Sequence, residues 1–172
     1  MLTFKIANTE EEFDQIFCLN YETFAEEIPQ HKTNNSRRLI DKFHTENTYF
    51  ICKQDNELIA MIAYRDIRPF SLDYKLPNLN SYLPSQKTKP CELRLLSIKK
   101  KYRGTRIFAK IAAELMKHVL NQNCDIALIS GTTKQERLYR HIGFVPFAFL
   151  VGNEDAQFQP MFITKETIRI LK

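Results

Sequence analysis

The sequence lacks the features that mark fibrous, secreted and membrane-spanning proteins. It has no tryptophan and only four glycines in 172 residues, which excludes a collagen-like or low-complexity chain. No window reaches the roughly 18 apolar residues that a membrane-spanning helix needs. The first thirty residues carry acids where a signal peptide has a basic start and an unbroken apolar centre. We therefore expect a cytoplasmic protein with no membrane partner.

The four cysteines are too widely separated to indicate a disulfide framework or a metal site. Each lies in an apolar segment, with no close cysteine or histidine at the spacing of metal ligands. They are Cys18, Cys52, Cys91 and Cys124. We expect them to be reduced core residues, and we expect no metal.

The residues that are present indicate one globular domain with a local anion site. Apolar residues make up 44% of the chain, and we expect residues 1–172 to form a single domain. The net charge is +5, and six of the 25 basic residues fall between Lys99 and Lys110. Aromatic residues are not interleaved with these cations beyond Tyr102, which disfavours nucleic acid as a partner.

Hydrophobic periodicity predicts the element order β-α-α-β-β-β-α-β-α-β-β, an α/β (α+β) fold. Four prolines and no helical period mark 68–90 as a long loop insertion, of the kind that is usually functional or mobile. Its apolar side chains would suit an acyl chain, a lid, or packing on the loop's own core. The predicted strands are 3–7, 48–54, 58–67, 91–98, 125–130, 144–151 and 160–168, and the predicted helices are 10–28, one starting near 34–36, 105–120 and 134–141.

A basic loop with one glycine joins the predicted strand 91–98 to the next helix. A helix N-terminus leaves backbone N–H groups unpaired and carries a partial positive charge, which suits phosphate. Gly104 permits a tight turn, and Lys101, Arg103 and Arg106 add cationic donors. The loop is neither a P-loop nor a three-glycine dinucleotide fingerprint. It predicts a phosphate cradle, with a solvated basic turn as the alternative interpretation.

Two segments resemble the GNAT superfamily of N-acetyltransferases. LSIKKKYRGTRIFAKIAAEL carries the R/Q-x-x-G-x-G/A signature at Lys101, Tyr102, Arg103, Gly104, Thr105 and Arg106, and LYRHIGF carries the tyrosine and the Gly-Phe that follow. The resemblance implies a mixed, mostly antiparallel sheet of about seven strands flanked by helices. It implies acetyl-CoA or another acyl-CoA as donor substrate, with the pyrophosphate on the backbone of the 101–107 loop, Ile107 included.

The signature departs from the family pattern at both ends. At the first position Lys101 replaces Arg or Gln, and at the last position Arg106 replaces a small residue. Thr132 and Gln135 stand where the family often has Asn and Ala before the tyrosine. Acyl-phosphopantetheine on acyl carrier protein is therefore an alternative donor.

The resemblance also implies the catalytic residues. Tyr139 is the candidate general acid, with core packing as its alternative role. Glu92 is the candidate base, with an ion pair to Arg94 or another cation as the alternative. Backbone groups of Leu96 and Ile98, where strand 91–98 splays, are expected to pair with the pantetheine arm while an N–H polarises the thioester carbonyl. Of the histidines, we expect His118 and His141 to be surface or capping residues, whereas His31 and His44 flank the predicted acceptor side.

YETFAEEIPQH (21–31) and PMFIT (160–164) also resemble the acyl-homoserine-lactone and N-acyl amino acid synthase branch. The leading hypothesis is an acyl-CoA-dependent N-acyltransferase acting on a small-molecule or protein amine. The alternatives are an acyl-carrier-protein-dependent N-acyl amino acid synthase and a catalytically silent module that binds acyl-CoA or another protein. The oligomeric state expected is monomer or homodimer.

Overall fold

The computed structural model describes residues 1–171 and shows a mixed α/β protein whose open sheet of eight strands is flanked by helices. This confirms the predicted fold class. The chain divides into two compact units. Unit 1 comprises Met1–Tyr64 and Arg94–Leu115, and unit 2 comprises Arg65–Leu93 and the chain from Met116 to the C-terminus.

Unit 1 contains three antiparallel strands and an N-terminal helix, together with residues 94–115. β1 pairs with β2, and β2 pairs with β3 across the turn at Asp55 and Asn56. The predicted hairpin is therefore confirmed. The elements are β1 (Leu2–Ile6), α1 (Glu10–Tyr21), β2 (Thr48–Gln54) and β3 (Glu57–Arg65), and α1 continues as a π-helical segment, Glu22–Glu27.

Strand β4 (Pro90–Ile98) begins in unit 2 and ends in unit 1. Within unit 2 it pairs in parallel with β5, and β5 pairs antiparallel with β8, whose other partners are the short strands β6 and β7. The remaining elements are α2 (Ser71–Lys75), α3 (Ile107–Asn121), β5 (Ile126–Thr132), α4 (Glu136–His141), β6 (Val145–Pro146), β7 (Val151–Gly152), β8 (Gln157–Thr164) and α5 (Lys165–Ile170).

The apolar face of α1 forms the core of unit 1. Ile16 and Leu19, three residues apart, are buried with Tyr49, Ile51 and Met61 of the hairpin. The helix begins where the sequence predicts, because the Thr9 hydroxyl accepts a hydrogen bond from Glu12 N–H at 3.2 Å. Glu12 in turn accepts from Asn8 N–H at 3.0 Å, one residue outside the expected capping box.

The predicted second helix near 34–36 is wrong. Residues 34–43 form turns and irregular chain, followed by a 3₁₀ turn at His44–Glu46. Leu39 N–H donates to the Phe17 carbonyl at 3.0 Å, and the Asn20 side chain donates to the Leu39 carbonyl at 2.8 Å. Because α1 takes these backbone groups, they are not available to a local helix.

The 68–90 segment has more structure than a plain loop. It contains α2 and a 3₁₀ turn at Leu79–Tyr82. Phe70, Leu72 and Leu76 are fully buried, whereas Tyr74 is exposed. Of the interpretations left open by the sequence, the buried side chains favour a segment that packs on its own core.

The last predicted strands are also partly wrong. The predicted strand 144–151 is replaced by two short strands, Val145–Pro146 and Val151–Gly152. Ala148, which lies between them, has φ 56°. β8 stops at Thr164, where the hydroxyl accepts from Thr167 N–H at 3.3 Å and begins α5. This N-cap outweighs the β-branched residues that suggested continued strand.

Candidate functional site

The basic loop of unit 1 forms the structured entry to α3. A 3₁₀ turn, Lys100–Tyr102, leads into Gly104 at φ +75°, a left-handed conformation that suits glycine. The Thr105 hydroxyl donates to the Tyr102 carbonyl at 2.6 Å and accepts from Ile107 N–H at 3.4 Å. The loop is thus ordered by its own hydrogen bonds immediately before the helix.

Three consecutive amides of this loop are free to bind a ligand. Within the described chain, the N–H groups of Gly104, Thr105 and Arg106 have no hydrogen-bond acceptor. They precede the first turn of a 15-residue helix, whose dipole favours an anion at that end. The residues present therefore fit a phosphate group.

The cations of the basic loop differ in the contacts that they already form within the protein. Arg103 forms a two-pronged ion pair with Glu27, with both N–O distances 2.8 Å, and also donates from Nε to the Ile98 carbonyl at 2.8 Å. The bond to Glu27 raises the pKa of Arg103. Lys101 Nζ lies 4.8 Å from the centre of the Tyr102 ring. Arg103 therefore positions the loop rather than offering a free charge to phosphate.

Strand β4 changes conformation partway along its length. Its ladder with β5 covers Pro90, Cys91 and Glu92 only. Leu95, three residues before the last residue of the strand, has φ +57°, which is rare for a bulky side chain. Leu96 and Ile98, the residues expected to pair with a pantetheine arm, lie after this point, where the Ile98 carbonyl already accepts from Arg103. Their role stays a prediction.

Tyr139 lies on α4 in unit 2 and is buried. Its hydroxyl donates to Gln135 Oε1, one turn earlier, at 3.1 Å. Its ring packs on Gly131 of β5 so closely that a Cβ there would lie 2.7 Å from Tyr139 Cδ2. Burial raises the pKa of Tyr139 to about 12, which keeps the phenol protonated at neutral pH. The group can therefore donate a proton, and its role as general acid stays a prediction.

Glu92 is 1% exposed and caps helix α2 within unit 2. One carboxylate oxygen accepts from Ser71 N–H at 2.9 Å, and the other accepts from Leu72 N–H at 3.0 Å. Arg94, its expected alternative partner, forms a two-pronged ion pair with Asp41 at 2.6 and 3.0 Å. The base role of Glu92 stays a prediction, and the structure adds a structural role that the sequence did not indicate.

A polar network in unit 1 was missed from the sequence. Asp41 accepts from Arg94 and from Asn47 Nδ2 at 2.8 Å, and Asn47 also donates to the Tyr49 hydroxyl at 3.0 Å. His44 Nδ1 lies 3.3 Å from the same hydroxyl. Burial opposes ionisation of Asp41, but the bonds from Arg94, Asn47 and Phe43 N–H lower the pKa of this carboxyl overall. The only sequence signal was His44 beside the predicted acceptor side.

Most of the cysteines are buried, and burial also affects His118. None of the four cysteines forms a disulfide, and all except Cys18 are buried. Burial lowers the pKa of His118 on α3. Among residues 1–171 no three His, Cys, Asp or Glu side chains are placed to hold a metal ion. In the same residues, no helix combines the length and apolarity that crossing a bilayer requires.

The candidate site residues divide between the two units. Leu96, Ile98 and the loop 101–107 belong to unit 1, whereas Glu92 and Tyr139 belong to unit 2. Unit 1 thus brings together the predicted phosphate-binding groups, and unit 2 carries both predicted proton-transfer groups.

Three solved structures are similar to this chain along nearly its whole length. FeeM, an N-acyl amino acid synthase from uncultured soil microbes, is 16% identical over 99% of this chain and 94% of its own, with TM-score 0.76. BjaI, a CoA-dependent acyl-homoserine lactone synthase solved with SAM and isopentyl-CoA, is 16% identical over 94% and 81%, with TM-score 0.75. An acyl-CoA N-acyltransferase from Pseudomonas aeruginosa is 14% identical over 95% and 99%, with TM-score 0.65. At these identities the likeness shows the fold alone.

A sequence comparison with curated proteins finds no match. The model of the acetyltransferase (GNAT) family, by contrast, matches residues 11–144, from the start of α1 past the end of α4. This span covers more than half of the chain and includes the free-amide loop, Glu92 and Tyr139. The chain therefore belongs to the acetyltransferase (GNAT) family.

Proposed function

We propose that this protein is an N-acyltransferase that transfers an acetyl or longer acyl group from acyl-CoA to a primary amine by direct attack on the thioester. The observation that carries the proposal is the set of free amides at Gly104, Thr105 and Arg106, before the first turn of α3, in a chain of the acetyltransferase family. These groups can bind the pyrophosphate of coenzyme A. The acceptor is a small-molecule or protein amine.

The chemistry needs a base, an acid and no covalent nucleophile. The amine nitrogen attacks the thioester carbonyl carbon, the C–S bond breaks, and an amide and a thiol result. Glu92 takes a proton from the amine, directly or through water. The Tyr139 phenol gives its proton to the departing thiolate, because its hydrogen is held by a neutral amide and not by a charged acceptor.

Thermal unfolding with and without ligand tests donor binding. At about 100 times its dissociation constant, a ligand adds roughly 2.7 kcal/mol to the free energy of unfolding. We expect acetyl-CoA, a long-chain acyl-CoA or free coenzyme A to raise the midpoint of the wild-type protein, and the ranking of the acyl chains to indicate the preferred donor.

Two variants at Gly104 test whether the stabilisation by ligand comes from binding at the basic loop. A Cβ at this residue would meet nothing within 4 Å, so Gly104→Glu and Gly104→Gln share the same backbone strain and differ mainly in charge. We expect coenzyme A to stabilise the Gln variant and not the Glu variant. If Gly104→Glu keeps the full shift, the loop does not bind the phosphates.

A second candidate function uses acyl carrier protein as donor and makes an N-acyl amino acid. It is favoured by the departures at Lys101 and Arg106 and by the likeness to FeeM over nearly both whole chains. In that case acyl carrier protein supports transfer, short acyl-CoAs do not compete, and charge removal at Lys101 and Arg106 abolishes carrier binding. A chain that binds acyl-CoA but shows no transfer with either donor supports the silent module.

A further inference from the structure

The two edge strands of the sheet differ in how well they are protected against pairing with another strand. The strand order runs from β1 to β6. β6 consists of Val145 and Pro146 only, and a short strand with a proline resists further pairing. β1, by contrast, is five residues long, has no proline and pairs with β2 in unbroken register. It is therefore the edge at which another strand can add to the sheet.

Every second residue of β1 directs its backbone polar groups away from β2. At the two ends of the ladder, Ala7 N–H donates to the Tyr49 carbonyl at 2.9 Å, and Asp55 N–H donates to the Met1 carbonyl at 3.0 Å. Because an antiparallel pair exchanges hydrogen bonds at alternate residues, the odd-numbered residues of β1 bond to β2. The even-numbered residues face an edge that no further strand of residues 1–171 covers. They are Leu2, Phe4 and Ile6.

The side chains of the same three residues form an apolar stripe on one face of β1, since alternate residues of a strand share a face. Leu2 is 42% exposed and Ile6 is 45% exposed, with the half-buried Phe4 between them. The one charged residue of β1, Lys5, lies on the other face, where its ammonium pairs with Glu12 at 2.9 Å. Because this charge is already neutralised, it does not protect the edge as an unpaired lysine would.

We propose that β1 pairs with β1 of a second copy of this chain, in an antiparallel register that is symmetric about Phe4. In this register Phe4 faces Phe4, and Leu2 of each copy faces Ile6 of the other. Each outward N–H then meets an outward carbonyl. Lys5 faces Thr3 and not a second lysine, so no like charges oppose each other across the strands. This self-complementary spacing favours a second copy over an unrelated strand, and the proposal does not require that acyl transfer occurs.

Sedimentation equilibrium of the wild-type protein at increasing concentration tests the proposal. A contact made mainly by two short strands is smaller than a standard interface, so we expect a dimer with a dissociation constant between about 1 μM and 1 mM. Each copy carries a net charge of +5, so salt that screens the repulsion between copies should strengthen the dimer. A protein that stays monomeric at about 1 mM, in low and in high salt, overturns the proposal.

Two charge variants test the register. Ile6→Lys and Leu2→Glu each place a charge against an apolar side chain of the second copy, twice in each dimer, and each should weaken self-association at least tenfold. In an equimolar mixture, the introduced ammonium of one variant faces the introduced carboxylate of the other, while the remaining Leu2 and Ile6 still face each other. The mixture should therefore associate at least fivefold more tightly than either variant alone.

Val145→Lys is the matched control, because it makes the same kind of change at an exposed residue of the other edge strand. It should leave self-association unchanged. The replaced side chains of Leu2 and Ile6 are exposed, so both variants should unfold at the midpoint of the wild-type monomer. Self-association that survives both single variants, or a mixture no tighter than either of them, overturns the pairing through β1.

Discussion

The two compact units hold the polar groups of the candidate site in different environments. In unit 1, Arg103 is exposed and pairs with Glu27 across the surface, while the amides beside it remain free. In unit 2, Glu92 and Tyr139 are buried and their polar atoms are already bonded to backbone or to Gln135. Surface pairs cost little to break, whereas buried groups depend on their partners. The comparison predicts tolerance in unit 1 and fragility in unit 2.

Removal of the Glu92 carboxylate should have the largest effect on stability. Glu92→Ala leaves Ser71 N–H and Leu72 N–H without their acceptor, at about 1 to 3 kcal/mol each. We expect a loss of about 2 to 5 kcal/mol in the free energy of unfolding, measured by chemical denaturation. Glu92→Gln keeps one acceptor oxygen and should retain more stability. Full transfer activity in a folded Glu92→Gln protein would eliminate Glu92 as the base.

Removal of the Tyr139 hydroxyl should affect catalysis more than folding. A general acid contributes about 10² to 10⁴ in rate. We therefore expect Tyr139→Phe to lower kcat at least 100-fold and to cost about 1 kcal/mol of stability through the lost bond to Gln135. Steady-state kinetics with the preferred donor measure the first effect, and denaturation measures the second. An unchanged kcat would leave Tyr139 as a packing residue.

Glu12 is a buried carboxylate in unit 1. A substitution at this residue therefore tests whether burial, and not membership of unit 2, makes a polar group costly to remove. Burial alone would raise its pKa, but bonds from Asn8 N–H and Lys5 and the charge of Lys53 lower it to about 2. A depressed pKa stabilises the fold above about pH 4.5, and that stability is lost as the pH falls toward 2. We expect Glu12→Gln to be less stable by about 2 to 3 kcal/mol at pH 7.

Acid unfolding provides the direct readout for Glu12. Between pH 4.5 and 2 the free energy of unfolding of the wild type should fall more steeply than that of Glu12→Gln, and the two curves should converge. Parallel curves across this window would show that the carboxylate is not held ionised by its partners.

The smallest effect is expected for the surface pair of the loop. Arg103→Ala removes the ion pair with Glu27 and the bond to the Ile98 carbonyl, at less than about 1 kcal/mol, and high salt should reduce the difference further. If the same variant weakens coenzyme A binding tenfold or more, Arg103 positions the amide loop despite its small effect on stability. A loss of several kcal/mol would contradict the proposed contrast between the units.

Much of the fold was predictable because local signals and tertiary packing agree there. The Thr9 cap and the apolar period after Phe13 both indicate α1, and the β-rich runs around Asp55 indicate the hairpin. The helix predicted near 34–36 does not form, because the backbone groups of Leu39 bond to α1 instead. The predicted end of the last strand is wrong, because the Thr164 hydroxyl caps a helix that starts inside a β-branched run.

The sequence by itself determined the family, the element order of most of the chain, and the basic loop with its one glycine, since these depend on residue type and spacing. Only the tertiary structure decided which polar groups are free. In the folded chain Arg103 pairs with Glu27, Arg94 pairs with Asp41, and Glu92 accepts hydrogen bonds from α2. The amides before α3 remain unpaired. Hydrogen bonds and ion pairs join residues up to 76 positions apart in sequence. Such pairings follow from the packing of the chain, which local spacing does not specify.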